Sequence, residues 1–290
     1  MHITSLTDTL PLQNGTAIPC IGYGTWQTPD GQVAEEAVKA AIVAGYRHID
    51  CAAVYGNEES VGRGIRRGLE EAGIRREELF VTGKVWTTHR GYEKTLEACE
   101  KSLKDLGLSY FDLYLIHWPA NEVNCPGQWE LTNLDSWRAM MELYRQKKVR
   151  AIGVSNFLPH HLQALLQTQI PPMVDQIEFH PGWTQLPVVE FCRSRGIVVE
   201  GWSPMGSGAV LKHPVLTEIA QKYGKTVAHL CIRYALQHGV LPLPKSVTPS
   251  RILDNRNVFD FEISASDMAV IDALSGCGWS GNNPDTFQVF

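Results

Sequence analysis

From Ile21 onward, short apolar runs alternate with stretches in which apolar residues recur every three or four positions. The short runs read as strands buried on both faces: Ile21–Tyr23, Arg47–Asp50, Leu79–Val85, Phe111–Trp118, Arg150–Ser155, Met173–Phe179, Ile197–Trp202 and Leu241–Pro244. The periodic stretches read as amphipathic helices: Gln32–Ala44, Glu58–Glu71, Tyr92–Leu106, Ser136–Lys147, His160–Gln167, Pro187–Ser194 and Val227–Gln237. An eighth begins at Pro249 and closes near Asn255–Asn257. No linker interrupts the series. Eight such units, spaced as in a barrel of about 250 residues, predict a closed eight-stranded parallel (β/α) TIM barrel, with residues 1–290 as one domain.

Ahead of the series, Asn14-Gly15 separates two short strand candidates, a hairpin signal that predicts a small lid before the main fold. Behind it, Ser264–Leu274 predicts an extra terminal helix, with Ser264 as its cap and Asp267 three positions on. Pro119–Asn133 reads as a long loop after the fourth strand, and Gly276–Phe290 as a tail rich in Gly, Asn and Pro. Both are expected where loops decide specificity.

With 290 residues and 44% hydrophobic content, the chain can bury a full core. A net charge of -5 offers no basic field for phosphate backbones, so nucleic acid is not an expected partner. Met1–Leu10 has neither a basic start nor an apolar centre, which argues against export or a membrane segment and for the cytoplasm. Seven scattered cysteines without a Cys-x-x-Cys pair read as reduced thiols, not as a disulfide frame or a zinc site. No heptad or exposed apolar strip points to an oligomer, and a monomer is expected.

The candidate chemistry lies at successive strand ends. The run from Arg47 to Glu58 carries Asp50 and, five residues on, Tyr55; the next two strands deliver Lys84 and His117. In a parallel barrel such positions share one face. A phenol and an ammonium both have ordinary pKa values near 10, so neither alone is a useful acid at neutral pH. A charged Lys84 beside Tyr55 is expected to lower the phenol's pKa, with Asp50 keeping the lysine charged and oriented. His117 would donate a hydrogen bond to a substrate oxygen. The chemistry that wants this set is protonation of a carbonyl oxygen while hydride reaches its carbon.

Hydride requires a carrier. Ser155, Asn156 and Gln176 have the donors and acceptors a carboxamide needs, and Trp202 can stack on a nicotinamide. After the eighth strand, Lys245-Ser246 leads to a helix that Thr248 is expected to cap and Pro249 to open, with Arg251 in its first turn. Backbone donors, a lysine and an arginine together suit a phosphate dianion, so NADPH is expected over NADH.

These blocks resemble the aldo-keto reductases, bacterial diketogluconate reductase-like or general carbonyl-reducing members. The resemblance runs through Gly22-Tyr23-Gly24-Thr25-Trp26, His48 to Glu58, Leu115-Ile116-His117-Trp118-Pro119, Ile152 to Phe157, Val174-Asp175-Gln176 and Pro244-Lys245-Ser246. It implies Tyr55 as general acid, Lys84 and Asp50 as its tuning pair, and His117 as orienting donor. It further implies nicotinamide contacts at Ser155, Asn156, Gln176 and Trp202, and pyrophosphate contacts at Ser203, Met205 and Ser207. Adenosine-side contacts would come from Lys245, Ser246, Arg251, Asp254 and Asn255, while Thr25 and Trp26 border both cofactor and substrate. Trp202 stands where many relatives carry tyrosine. The tail is shorter than in the animal aldose-reductase branch, which implies a more open substrate pocket.

Alternative readings are narrower. Trp26, Trp86 and Trp118 suit a carbonyl pocket, Trp137 the core, and Trp183 is undecided. Gly62-Arg63-Gly64 with Gly68 imitates a dinucleotide glycine pattern but follows no strand. His160-His161 and the Glu178/His180 pair lack metal-ligand spacing and read as a solvated helix start and a strand end, so no metal is expected. The expected activity is reversible NADPH-dependent reduction of aldehydes or ketones, from small aldehydes, keto acids and keto sugars to steroid-sized ketones. Competing readings are a non-catalytic nucleotide-binding barrel of the channel-associated type and a metal-dependent hydrolase.

Overall fold

The computed structural model describes residues 3–288. A two-stranded antiparallel hairpin, β1 (Thr9–Pro11) and β2 (Ala17–Pro19), precedes eight parallel strands. These are β3 (Tyr23–Gly24), β4 (His48–Asp50), β5 (Phe80–Val85), β6 (Leu113–Ile116), β7 (Ile152–Ser155), β8 (Val174–Glu178), β9 (Val198–Trp202) and β10 (Val240–Pro242). They pair in chain order, and the sheet curls. The N–H groups of Gly22, just before β3, and of Gly24, within it, donate to the Pro242 and Pro244 carbonyls at the far edge, each at 3.0 Å.

Helices follow the strands: α1 (Gln32–Val43), α2 (Glu58–Ala72), α3 (Tyr92–Leu106), α4 (Trp129–Arg145), α5 (Pro159–Leu165), α6 (Leu186–Arg193), α7 (Pro214–Lys222), α8 (Val227–Gln237) and α9 (Pro249–Asp254). The last, α10 (Ala265–Asp272), is capped as expected, Ser264 Oγ accepting the Asp267 N–H at 3.2 Å. Most of the helices bury an apolar stripe, such as Val61 and Ile65 of α2, toward a sheet whose strands β5 and β6 are buried on both faces. Gly62 and Gly64 serve the packing of α2 against α3 and α1, and not a nucleotide. A Cβ on Gly62 would lie 2.2 Å from the Leu106 carbonyl oxygen, and one on Gly64 would lie 2.6 Å from that of Glu35.

Several sequence expectations need correction. The hairpin is no lid: Asn14 Nδ2 and Gln13 Nε2 donate to the Arg150 and Arg195 carbonyls, which precede β7 and β9, so it covers the amino-terminal end of the sheet. The loop after β6 ends at Gln128, because α4 begins seven residues before Ser136. An irregular turn at Gly206–Lys212 and the helix α7 lie unforeseen between β9 and α8; Pro214 in the first turn of α7 is the signal that marked it. Thr248 stands at the cap of α9, but its side chain makes no capping bond. No helix among the described residues is long and apolar enough to cross a membrane.

Candidate active site

The site grows from the end of β4. Asp50 closes that strand, and one 3-10 turn, Ala53–Tyr55, folds the chain back before Gly56 (φ 67°) releases it into α2. That single turn explains the five-residue spacing. On the neighbouring strand, Thr82 registers with Asp50, so Lys84 stands two residues further along on the same face. Its ammonium donates to both Asp50 oxygens at 2.7 Å, to the Cys51 carbonyl at 3.1 Å and to the Tyr55 hydroxyl at 3.2 Å. His117 follows β6 directly, and its ring meets that of Tyr55 edge-on at 5.7 Å.

The electrostatics follow from burial. Lys84 has no exposed surface, and burial alone would push its ammonium down; the Asp50 charge, then Tyr55, outweigh it and hold the lysine above its usual range. Burial raises the Tyr55 phenol to about 12, and the neighbouring Lys84 only partly opposes it. Lys84 thus pulls the phenol down as expected, but burial outweighs it. Burial, then Lys84, hold His117 well below the usual histidine range, so its imidazole is neutral. No described residue hydrogen-bonds either ring nitrogen, and Nδ1 is buried without a partner.

Above this floor lies a cleft of about 670 Å³ along the strand ends. Trp26, Trp86, His117, Trp118 and Trp202 line it, as do Asn156, Gln176, Ser203, Met205, Ser207, Lys245, Ser246, Arg251, Asp254 and Asn255. Two expected contacts do not. Thr25 is wholly buried with its hydroxyl given to the Asp50 carbonyl, and Ser155 spends its own on the Gln176 carbonyl. Both brace the wall from behind. Asn156 is fixed all round: its Nδ2 donates to the His117 carbonyl and Ser155 Oγ, and its oxygen accepts the Trp202 indole N–H at 2.9 Å. Asn156, Ser203 and Ser207 have φ of 63°, 49° and 52°, strained for these residues and gathered at the cleft.

The tail supplies what sequence reasoning missed. Phe287 lies flat on Trp118, rings 3.9 Å apart and 8° from parallel, and it walls the cleft together with Asn282 and Val54. The tail therefore forms part of the pocket wall. Asn121 holds the Pro284 and Phe287 carbonyls, and Ser280 donates twice to Glu178 at the end of β8. The exposed His160 and the buried His161 both bond Asp285, so the pair anchors the tail, and only His160 stands in solvent as expected. The Leu158 N–H donates to His161 Nδ1, which leaves the ring proton on the nitrogen facing Asp285 and argues against a metal there. Trp137 is core, as expected, and Trp183 stacks on Trp279. Nothing but an aromatic residue in the tail marked Phe287 in the sequence.

The donor set fits a phosphorylated dinucleotide. Among the described residues the Gln176 side-chain oxygen accepts no bond and the exposed Arg251, which lines the cleft with Lys245, has no ionic partner, while Trp202 offers an aromatic face. The Aldo/keto reductase family model matches residues 20–275. Glyoxal reductase of Bacillus subtilis is 50% identical over 283 residues, covering 97% of this chain and 98% of that protein. The 9,11-endoperoxide prostaglandin H2 reductase of Trypanosoma cruzi is 47% identical, covering 95% and 94%. Among solved structures, the Bombyx mori aldo-keto reductase in complex with NADP has a TM-score of 0.84 at 36% identity, covering 92% of each chain.

Proposed function

Because this chain belongs to the aldo/keto reductase family and is an NADP-dependent oxidoreductase, we propose that it reduces aldehydes or ketones to alcohols, with Tyr55 as proton donor. When bound, NADPH supplies the hydride that reaches the carbonyl carbon. Tyr55 passes its proton to the oxygen as negative charge develops there; an alkoxide is the stronger base, so the transfer runs downhill despite a phenol near 12. The Lys84 ammonium, 3.2 Å away, then stabilises the phenolate, and Asp50 holds the ammonium in place. Neutral His117 offers a ring N–H that orients the substrate oxygen. Lys245 and Arg251 would hold the ribose phosphate and Trp202 the nicotinamide face.

The observation that carries this reading is the Asp50–Lys84–Tyr55 chain at the base of the cleft. We further infer that the sheet closes into a barrel, supported by the bonds from Gly22 and Gly24 to the opposite edge and by side chains of β4 touching those of β8 across the interior. A single-domain monomer in the cytoplasm completes the proposal; seven unpaired thiols support a reducing compartment. The surrounding Trp26, Trp86, Trp118 and Phe287 favour small neutral carbonyls, glyoxal-like dicarbonyls among them. NADPH consumption with a panel of such aldehydes tests the activity. Tyr55→Phe should lose at least about a hundredfold in turnover while NADP+ affinity stays within about threefold. Near-normal turnover in that variant would remove Tyr55 from its role, and no consumption with any carbonyl would favour the non-catalytic barrel.

A further inference from the structure

Beneath the catalytic pair lies a second buried carboxyl with no part in proton donation. Glu200 of β9 has no exposed surface, and its position registers with Gln176 of β8. The two N–H bonds of the Gln176 amide are divided between two acids: Nε2 is 2.9 Å from Asp50 Oδ1 and 3.0 Å from Glu200 Oε2. Carboxyl oxygens at these distances accept, so the amide nitrogen must face the interior and the amide oxygen the cleft. One such bond leaves the amide free to rotate about its last torsion. Two set its plane.

On the other side of Glu200, Oε1 lies 3.6 Å from His48 Nδ1, and among the described residues neither atom has another partner. His48 Nε2 bonds Thr82 Oγ1 at 2.9 Å. Burial, then the Asp50 charge, push the Glu200 carboxyl up to about 8, so at neutral pH it keeps a proton that Oε1 can turn toward His48 while Oε2 accepts from Gln176.

We propose that Glu200 is a positioning residue: with Asp50 it pins the Gln176 amide so that only a carbonyl oxygen faces the cleft, and the site therefore selects a nicotinamide that donates an amide N–H. This rests on the dinucleotide reading above and extends it to a residue that touches neither cofactor nor substrate.

The test is the ratio of dissociation constants for three probes, NADP+, its 3-acetylpyridine analogue and its nicotinic acid analogue, read by quenching of tryptophan fluorescence. A methyl cannot donate and a carboxylate repels an acceptor, so the unmodified protein should favour NADP+ by about tenfold or more. In Glu200→Leu the ratio should shrink to within about threefold; in Glu200→Gln, whose oxygen still accepts, it should stay near the original. Ratios measured on one preparation are insensitive to a loss of folded protein. Should the leucine variant not fold, side-chain hydrogen exchange in the unmodified protein decides: both Gln176 amide protons should exchange far more slowly than those of exposed Gln27. A leucine variant with undiminished selectivity, or Gln176 protons as fast as those of Gln27, overturns the inference while leaving the reductase reading intact. Failure of the unmodified protein to bind any of the three overturns both.

Discussion

Replacing Lys84 by methionine keeps the length of the side chain and removes its charge, which strands Asp50. That carboxylate is only 4% exposed and would lose a partner at 2.7 Å to both oxygens. Breaking a buried pair from one side costs about 3–5 kcal/mol, because the remaining charge is uncompensated. For a chain of this size that corresponds to a fall of roughly 6–15 °C in Tm. Removing both charges, Lys84→Met with Asp50→Leu, should recover at least half of the loss. What remains is about 1 kcal/mol for the Gln176 N–H left unpaired. Turnover should not recover. The phenolate loses a charge-assisted hydrogen bond of about 1.5–3 kcal/mol, a rate loss of roughly 10- to 150-fold that the double variant shares. Thermal melts by circular dichroism and NADPH oxidation, run in parallel on both variants, separate the two effects. A single variant melting within about 2 °C of the parent would refute the stranded-charge argument. A double variant with parental turnover would refute the role of the ammonium.

Three further outcomes are expected. Glu200 is raised from 4.5 to about 8, so above 4.5 the unfolded chain releases a proton that the fold retains. This group therefore erodes stability by about 1.4 kcal/mol per pH unit up to about 8, and Glu200→Gln should gain on the parent across that window; parallel pH curves from denaturant melts would contradict it. Arg251→Ala should weaken NADPH about tenfold and NADH less than about threefold, measured by paired titrations; equal losses would argue against ribose-phosphate recognition. Phe287→Ala removes the ring stacked on Trp118 and should raise KM for small aldehydes about threefold or more while admitting bulkier ketones; unchanged constants across a size series would detach the tail from the pocket.

Alternating short apolar runs and helical periods were enough to count eight strand and helix units and to place Asp50, Tyr55, Lys84 and His117 at strand ends. Both patterns are local: an unbroken apolar run marks a strand covered on both faces, and a period of 3.6 marks a helix with one buried face. That the ammonium of Lys84 would meet both Asp50 and Tyr55 was legible too, since neighbouring parallel strands fix the register between them. Contacts made across the interior were not. Gln176 reaches Asp50 over 126 residues of chain, and which inward side chains meet depends on how the sheet curls. The hairpin's place at the far end, the Phe287 wall and the Asp285 anchor depend on where irregular backbone settles, and no period encodes that. The Tyr55 phenol is the sharpest case: its pKa balances a nearby charge, which could be named from the sequence, against burial, which exists only once the strands have packed around it.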